Sequence, residues 1–298
     1  MEFFNFDPFN NPIKFDPFNP KFDFAPIQID EKPKSSGAII DKIDAKEEIK
    51  EKNKVHVLIV NHNLYDKMSQ TIRKLMLQKA SFDLTIFDNN SDDLFMKEYY
   101  KDLPKLWNRE DCNLNILRNS VNAPLNHVWQ WFKEHTQAPY LAMMNNDLKI
   151  CDNLISNAIE IFEKEPECGI VFHPTNRPDF KKKDTLEYEF AKKCYSQGHD
   201  YIIRREAWVD IPPEFIIWCG DTWLCTRLWE NGWKQVYDTS SPVIHYANST
   251  SINVNKDIAP FLQKDLDNYN SKYATVPFDG REFTEYCTRY CKKDFELE

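Results

Sequence analysis

From Val55 onward, apolar residues fall into short continuous runs that alternate with helical spacing. VHVLIV (55–60) is apolar and β-branched, as a buried strand requires, and it stops at Asn61-His62-Asn63. Met68, Ile72, Leu75 and Met76 then recur at i, i+4, i+7 and i+8, which is one face of a helix. DLTIFD (83–88) predicts a second strand ending in Asp88-Asn89-Asn90-Ser91-Asp92. A helix over about 92–103, a strand at 114–117 and a helix opening near Asn122-Ala123-Pro124 follow, the last carrying cap and early-proline signals. YLAMM (140–144) is the fourth strand, and it breaks off at Asn145, Asn146 and Asp147. Leu154, Ile155, Ala158, Ile159 and Phe162 mark the buried side of a helix over 153–164. Strands are predicted at 169–173, 200–203, 234–237 and 243–246. A helix opens at Cys219-Gly220-Asp221 and stops at Asn231-Gly232, and helices over 257–272 and 281–292 close the chain. Such regular βα alternation with short connections implies an α/β protein with a mainly parallel sheet and helices on both faces.

Two stretches depart from this pattern. Residues 1–54 open with an imperfect repeat, in which Phe6-Asp7-Pro8-Phe9-Asn10 returns as Phe15-Asp16-Pro17-Phe18-Asn19. Proline at this density forbids a helix, while the spaced phenylalanines give an extended chain something to bury, so the repeat reads either as a docking element for a partner surface or as an expendable tail. Residues 30–54 are charged and read as a linker or a short solvated helix. Residues 174–198 are long, charged and aperiodic, and are expected to form a mobile loop. The expected division is tail and linker over 1–54, a catalytic domain over 55–250 with its halves meeting at 147/148, and a helical extension over 251–298.

The 298 residues suffice for a full core, with 42% hydrophobic and 14% aromatic residues. A net charge of -9 argues against a general binder of nucleic acid or anionic membrane. No apolar run is long enough for a bilayer and the start lacks a signal-peptide pattern, so a cytoplasmic location is expected. Eight scattered cysteines without a CxxC pair are expected to be reduced thiols, although Cys287 and Cys291 could share a helix face. Only six glycines occur, and neither GxGxxG nor GxxxxGK[ST] is present, so the usual dinucleotide and P-loop fingerprints are missing.

Strand ends of an α/β sheet are where ligands bind, and a carboxylate there can hold a divalent metal that keeps other positions for phosphates. Asp147 fits that description, as does a simple turn-closing role. Taken in order, VLIVNHN, LTIFDNNSDD, YLAMMNNDL and GDTWLCTRLWENGW ending in VIHY resemble the family 2 glycosyltransferases of GT-A fold, in particular their rhamnosyltransferase-like branch. The resemblance covers roughly 55–250. It implies a Rossmann-like, mainly parallel mixed sheet and an inverting transfer of a sugar from a nucleotide-sugar donor to an acceptor hydroxyl, assisted by Mn²⁺ or Mg²⁺. It places Asp88 on the nucleobase, Asp147 and His245 on the metal, and Asp221 on the acceptor proton. Asn61, Asn63, Asn119 and Asn146 would line the donor site, while Trp218, Trp223 and Arg205 would face the acceptor.

Departures from the family pattern are equally visible. NSVNAPLN (119–126) stands where a glycine-rich turn is usual, and Gly220 and Trp223 replace frequent acids. These changes favour an alternative, a binding module that keeps the shell without turnover. A nucleotidyltransferase would need a glycine-rich phosphate loop near the first strand, which this chain lacks. The acceptor classes left open are a glycan, a lipid-linked sugar, a protein and a modified nucleic-acid base, the last two because cations gather between Arg177 and Arg205.

Overall fold

A computed structural model describes residues 42–46, 48–176, 181–246 and 255–272. The N-terminal repeat, Arg177, Cys287, Cys291 and the helix expected over 281–292 lie outside the described residues. In chain order the elements are β1 (Val55–Asn61), α1 (Tyr65–Met76), β2 (Asp83–Asn89), α2 (Leu94–Leu106), β3 (Leu114–Asn119), α3 (Leu125–His135) and β4 (Tyr140–Met144). There follow β5 (Leu148–Lys149), α4 (Leu154–Lys164), β6 (Cys168–Phe172), β7 (Tyr188–Phe190) and β8 (Asp200–Arg204). The last elements are α5 (Gly220–Glu230), β9 (Lys234–Asp238), β10 (Ile244–His245) and α6 (Asn255–Lys272).

Eight strands form one sheet in the order β3-β2-β1-β4-β8-β6-β9-β7. The run β3-β2-β1-β4 is parallel, as is the pair β6–β9, whereas β8 is antiparallel to both β4 and β6, and β7 is antiparallel to β9. The sheet is therefore mainly parallel but mixed. β7 lies inside the stretch expected to be a mobile loop. Its short pairing with β9 protects the sheet edge, and Thr175 bridges to Val243 nearby.

The central strands are apolar on both faces because both faces are covered. In β1, Val55, Val57 and Ile59 join a core with Met68, Ile72 and Leu75 of α1, Met96 and Leu103 of α2, and Leu154, Ala158 and Ile161 of α4. Leu58 points the other way, to a core with Val128 and Phe132 of α3, Leu224 and Leu228 of α5, and Tyr269 of α6. The sequence-predicted C-terminal helix is thus part of this core.

Residues 42–46 and 48–54 are neither a free linker nor a helix. Ile43, Ala45 and Ile49 pack against the second core, and the chain runs along the sheet with hydrogen bonds from Asp44 N–H to Asn119 Oδ1 (2.6 Å) and from Lys50 N–H to Asn115 Oδ1 (2.9 Å). Buried Asp83 fastens its end, accepting the N–H groups of Lys52 (2.6 Å), Asn53 (2.8 Å) and Asn113 (3.1 Å) and the Asn53 side-chain amide (3.0 Å). Burial pushes the Asp83 carboxyl up, but these hydrogen bonds outweigh it and hold the group below the usual carboxylate range. A carboxyl lowered in the folded state stabilises fully above its unfolded pKa, and the contribution is lost as pH falls through the lowered value. Asp83→Ala is accordingly expected to cost roughly 3 kcal/mol at neutral pH by urea unfolding, since it orphans several buried donors. The gap between wild type and variant should narrow in acid.

Candidate functional site

The ends of β1, β2 and β4 meet at one edge of the sheet, where polar groups must find partners because water is excluded. Asn146 donates its amide to Asn61 Oδ1 (2.6 Å), and Asn61 donates to the Tyr100 hydroxyl (2.9 Å). The Thr71 hydroxyl of α1 accepts the Leu148 N–H (2.9 Å) and sits 3.0 Å from the Asn146 carbonyl, stapling the turn after β4. Asn63, at φ 52°, accepts the N–H groups of Asp92 and Asp93 (2.9 Å each) and so shapes the turn into α2. Asn119 is spent on the incoming chain, bonding Asp44 N–H, the Lys42 carbonyl and the Val121 carbonyl. Asn61, Asn63 and Asn119 thus build the rim with their side chains.

Asp88 differs from them. Its Oδ1 accepts the Ser91 N–H (3.1 Å), while its buried Oδ2 accepts no hydrogen bond and faces the half-exposed Arg118 guanidinium at 3.5 Å. Burial raises the Asp88 carboxyl above the usual carboxylate range against the pull of Ser91 and Arg118. Beside it opens a cavity of about 420 Å³ lined by Asp88, Lys97, Tyr100, Lys101, Ile116 and Arg118, among others. Arg118 is an addition to the sequence reading. Its place at the end of β3, one residue before Asn119, is the signal that could have found it.

Asp147, buried after β4, pairs through Oδ1 with His245 Nε2 at 3.1 Å. Backbone pairing makes this contact: β10 lies antiparallel to β5 with His245 opposite Leu148, and Tyr246 N–H donates to the Asp147 carbonyl (3.0 Å). His245 also lies 3.2 Å from the Asn145 amide and stacks on His199, with ring centroids 4.6 Å apart and planes within 9°. His199 meets the Thr175 hydroxyl (2.6 Å) and Asp200 (3.1 Å), and fully buried Asp200 pairs with His173 Nδ1 (2.7 Å). Burial, aided by the neighbouring His245, depresses His199 to about 3, so its ring is neutral. Asp200 is held below the usual carboxylate range, because the bond from His173 and the nearby imidazoles outweigh its burial. Neither His199 nor Asp200 was singled out from sequence. They reach this edge because β8 runs antiparallel and begins here.

That same reversal corrects the placement of Arg205. Met144 pairs with Asp200 and Tyr140 with Arg204, so the end of β8 lies at the start of β4, about 13 Å from the Asn145–Asp147 turn at ~3.3 Å per residue. Arg204 there donates to the carbonyls of Cys168 and Phe162, and Arg205 approaches the Thr136 hydroxyl at 3.5 Å. The pair serves the far end of the sheet, away from the edge that bears Asp147.

Asp221 stands in the first turn of α5, where the helix dipole favours a negative charge. It lies against Gly198, where an added Cβ would sit 3.2 Å from Asp221 Oδ2, and Gly198 precedes His199, whose carbonyl accepts the Asn145 N–H (2.8 Å). Short backbone links therefore join Asp221 to the turn that carries Asp147. Burial raises the Asp221 carboxyl above its usual range. The turn into α5 is strained at Cys219, a non-glycine residue at φ 65°. Trp218 is partly buried against the second core, with its carbonyl accepting the Asn126 amide (2.9 Å). Trp223 donates its indole N–H to the Asp210 carbonyl (2.9 Å) and carries the Arg227 guanidinium over its ring at 4.5 Å. That indole braces the loop before α5.

No family model matches the chain, and no curated protein matches it by sequence. Solved structures do match. A mannosyltransferase from Pyrobaculum calidifontis, PcManGT, in complex with GDP-Man and Mn²⁺, superposes with a TM-score of 0.54 at 13% identity, over 83% of this chain and 73% of that one. GalNAc-T7 with UDP, GalNAc and Mn²⁺ gives 0.53 at 15% identity, over 79% of this chain and 54% of that one. S. aureus TarS 1-349 gives 0.52 at 11% identity, over 79% and 78%. The chain thus has the GT-A glycosyltransferase fold, and it spans about half the length of the GalNAc-T7 chain.

Gly220 shows how tightly the turn before Asp221 is fitted, since a Cβ there would fall 2.1 Å from Asn126 Oδ1. Gly220→Ala should therefore displace Asn126 and destabilise the protein by about 1–3 kcal/mol, the usual range for overpacking. Cys219→Gly should cost less than Gly220→Ala, because relief of the positive φ offsets part of the loss of its buried side chain. Thermal unfolding of both variants checks the pair of outcomes.

Proposed function

We propose that this chain transfers a sugar from a nucleotide-sugar donor to an acceptor hydroxyl, with inversion at the anomeric centre. The observation that carries the reading is the meeting of Asp147 and His245 at 3.1 Å on the sheet edge that also bears Asp221 and the Asp88 cavity. Solved structures of the same fold hold UDP, UDP-GlcNAc or GDP-Man, two of them with Mn²⁺, which supports a nucleotide-sugar donor and a divalent ion.

The residues present fit such an ion. A carboxylate and an imidazole converge, a donor set suited to Mn²⁺, and no group of three or more His, Cys, Asp or Glu that could hold a metal occurs among the described residues. Two protein ligands leave room for diphosphate oxygens and water. The ion, when bound, neutralises charge that grows on the leaving diphosphate. Asp147 and His245 would hold it, and the Thr71 staple and the His199 stack orient them. Asp88 Oδ2, buried without a hydrogen bond, accepts a base N–H, with Arg118 at the same cavity. Asp221 takes the proton from the acceptor hydroxyl as the new glycosidic bond forms on the face opposite the leaving group.

The test is calorimetry of UDP and GDP with and without Mn²⁺, together with the metal-dependent release of nucleoside diphosphate from UDP-GlcNAc and GDP-Man. Asp147→Ala should lose Mn²⁺-dependent nucleotide binding by tenfold or more, about 1.4 kcal/mol. Asp221→Asn should retain binding while turnover falls ~10²–10⁴-fold. Because the base must be ionised and burial raises its pKa, the rate should fall in acid with a midpoint above the usual aspartate value of 3.8. An Asp221 variant with normal turnover contradicts the mechanism, an Asp147 variant that still binds nucleotide with metal contradicts the site, and binding without turnover in wild type favours the binding-module alternative.

A further inference from the structure

Between β8 and α5 the chain makes one 3₁₀ turn at Arg205–Ala207 and then runs as irregular chain to the Cys219–Asp221 turn, and such chain must satisfy its backbone groups outside any helix or ladder. Three successive N–H groups solve this in one place. Those of Ile216 (2.9 Å), Ile217 (2.8 Å) and Trp218 (2.9 Å) all donate to the carboxylate of Asp265, a fully buried residue of α6. Consecutive N–H groups aimed at one point form an anion-binding concavity, and here the anion is supplied by the chain itself. The opposite side of the segment is held from α3, where Asn126 donates its amide to the Trp218 carbonyl (2.9 Å) and its N–H to the Ile216 carbonyl (3.2 Å).

The next residues are strained Cys219, close-fitted Gly220 and Asp221. A left-handed non-glycine residue persists only where its surroundings over-determine it. The Asp265 and Asn126 clamps supply that determination, one residue upstream of the strain. α6 has further holds on the same segment, Asn268 to the Glu214 carbonyl (3.3 Å) and Lys272 to the Glu214 carboxylate (3.1 Å), but these reach its outer end.

We propose that Asp265 is a positioning residue that sets the Cys219–Asp221 turn, and with it the place of the Asp221 carboxylate relative to the acceptor hydroxyl. The proposal rests on Asp221 being the base. It makes α6, which the family resemblance leaves out, a working part of the acceptor half. Asp265 itself touches neither the Asp88 cavity nor the Asp147–His245 pair, which are built on β2 to β5 and β10.

Amide hydrogen exchange and turnover of the donor used above test this on the full chain as wild type, Asp265→Ala, Asp265→Asn, Lys272→Ala and Asp221→Asn. Asp265→Ala should speed exchange over 214–222 by about tenfold or more while 83–89 and 140–148 keep wild-type protection. Its kcat should fall about 10²-fold with KM nearly unchanged, the scale expected for a misplaced catalytic group. Asp265→Asn keeps an acceptor oxygen and should recover part of both losses, and Lys272→Ala should change neither. Unchanged protection over 214–222, a loss of protection spread through the whole chain in both Asp265 variants, or a loosened segment with wild-type kcat would each overturn the proposal. If Asp221→Asn itself turned over normally, the reading of Asp221 as base would fail instead, and the exchange result would still decide whether Asp265 sets the turn.

Discussion

The architecture turns on the hydrogen bonding of β8, which lies antiparallel between β4 and β6 and so joins the two halves of the sheet. On one side stand the parallel strands that end in Asn61, Asp88 and Asp147, and on the other stand β6, β9 and β7. Because β8 starts where its neighbours end, it brings His199 and Asp200 to the edge that bears Asp147 and carries Arg204 and Arg205 away from it. Gly198, immediately before β8, leaves room for the Asp221 carboxylate. A single reversed strand thus brings together residues from both halves of the chain at one edge.

Burial then gives each carboxylate a separate character. Asp83 and Asp200 are buried but richly bonded, and remain below the usual carboxylate range. Asp88 and Asp221 are raised because burial outweighs the few groups that stabilise their charge. The first pair behaves as framework, tying the 52–53 chain to the sheet and holding His173 and His199. Of the second pair, Asp88 keeps one buried oxygen, Oδ2, that accepts no hydrogen bond.

Much of this was legible in the sequence. The runs VHVLIV, LTIF and YLAMM announced buried parallel strands because both faces of such strands are covered, and the polar residues that end them marked the ligand edge. Asp147 and His245 were placed together only through family resemblance, since the two-residue strands β5 and β10 that pair them are too short for any periodicity. The direction of β8 is not written in DYIIR, whose apolar residues would serve either orientation, and so the distance of Arg205 from the Asn145–Asp147 turn was not legible. Residues 42–54 are charged and read as linker, yet their backbone is bound by Asn115, Asn119 and Asp83, an interaction that depends on distant side chains. Asp265 was not singled out from the sequence, because nothing in its own neighbourhood encodes the three N–H groups that meet it.

The proposed function makes Asp147 and His245 a metal clamp for a nucleotide diphosphate at this edge. Crystals grown with Mn²⁺ and UDP or GDP, with anomalous scattering used to locate the ion, probe that clamp. A single manganese peak is expected within coordination distance of the Asp147 carboxylate and His245 Nε2, beside the diphosphate, with the base at Asp88. A nucleotide bound elsewhere, or an Asp147–His245 pair still in direct contact with no ion between or beside them at saturating Mn²⁺, would contradict it.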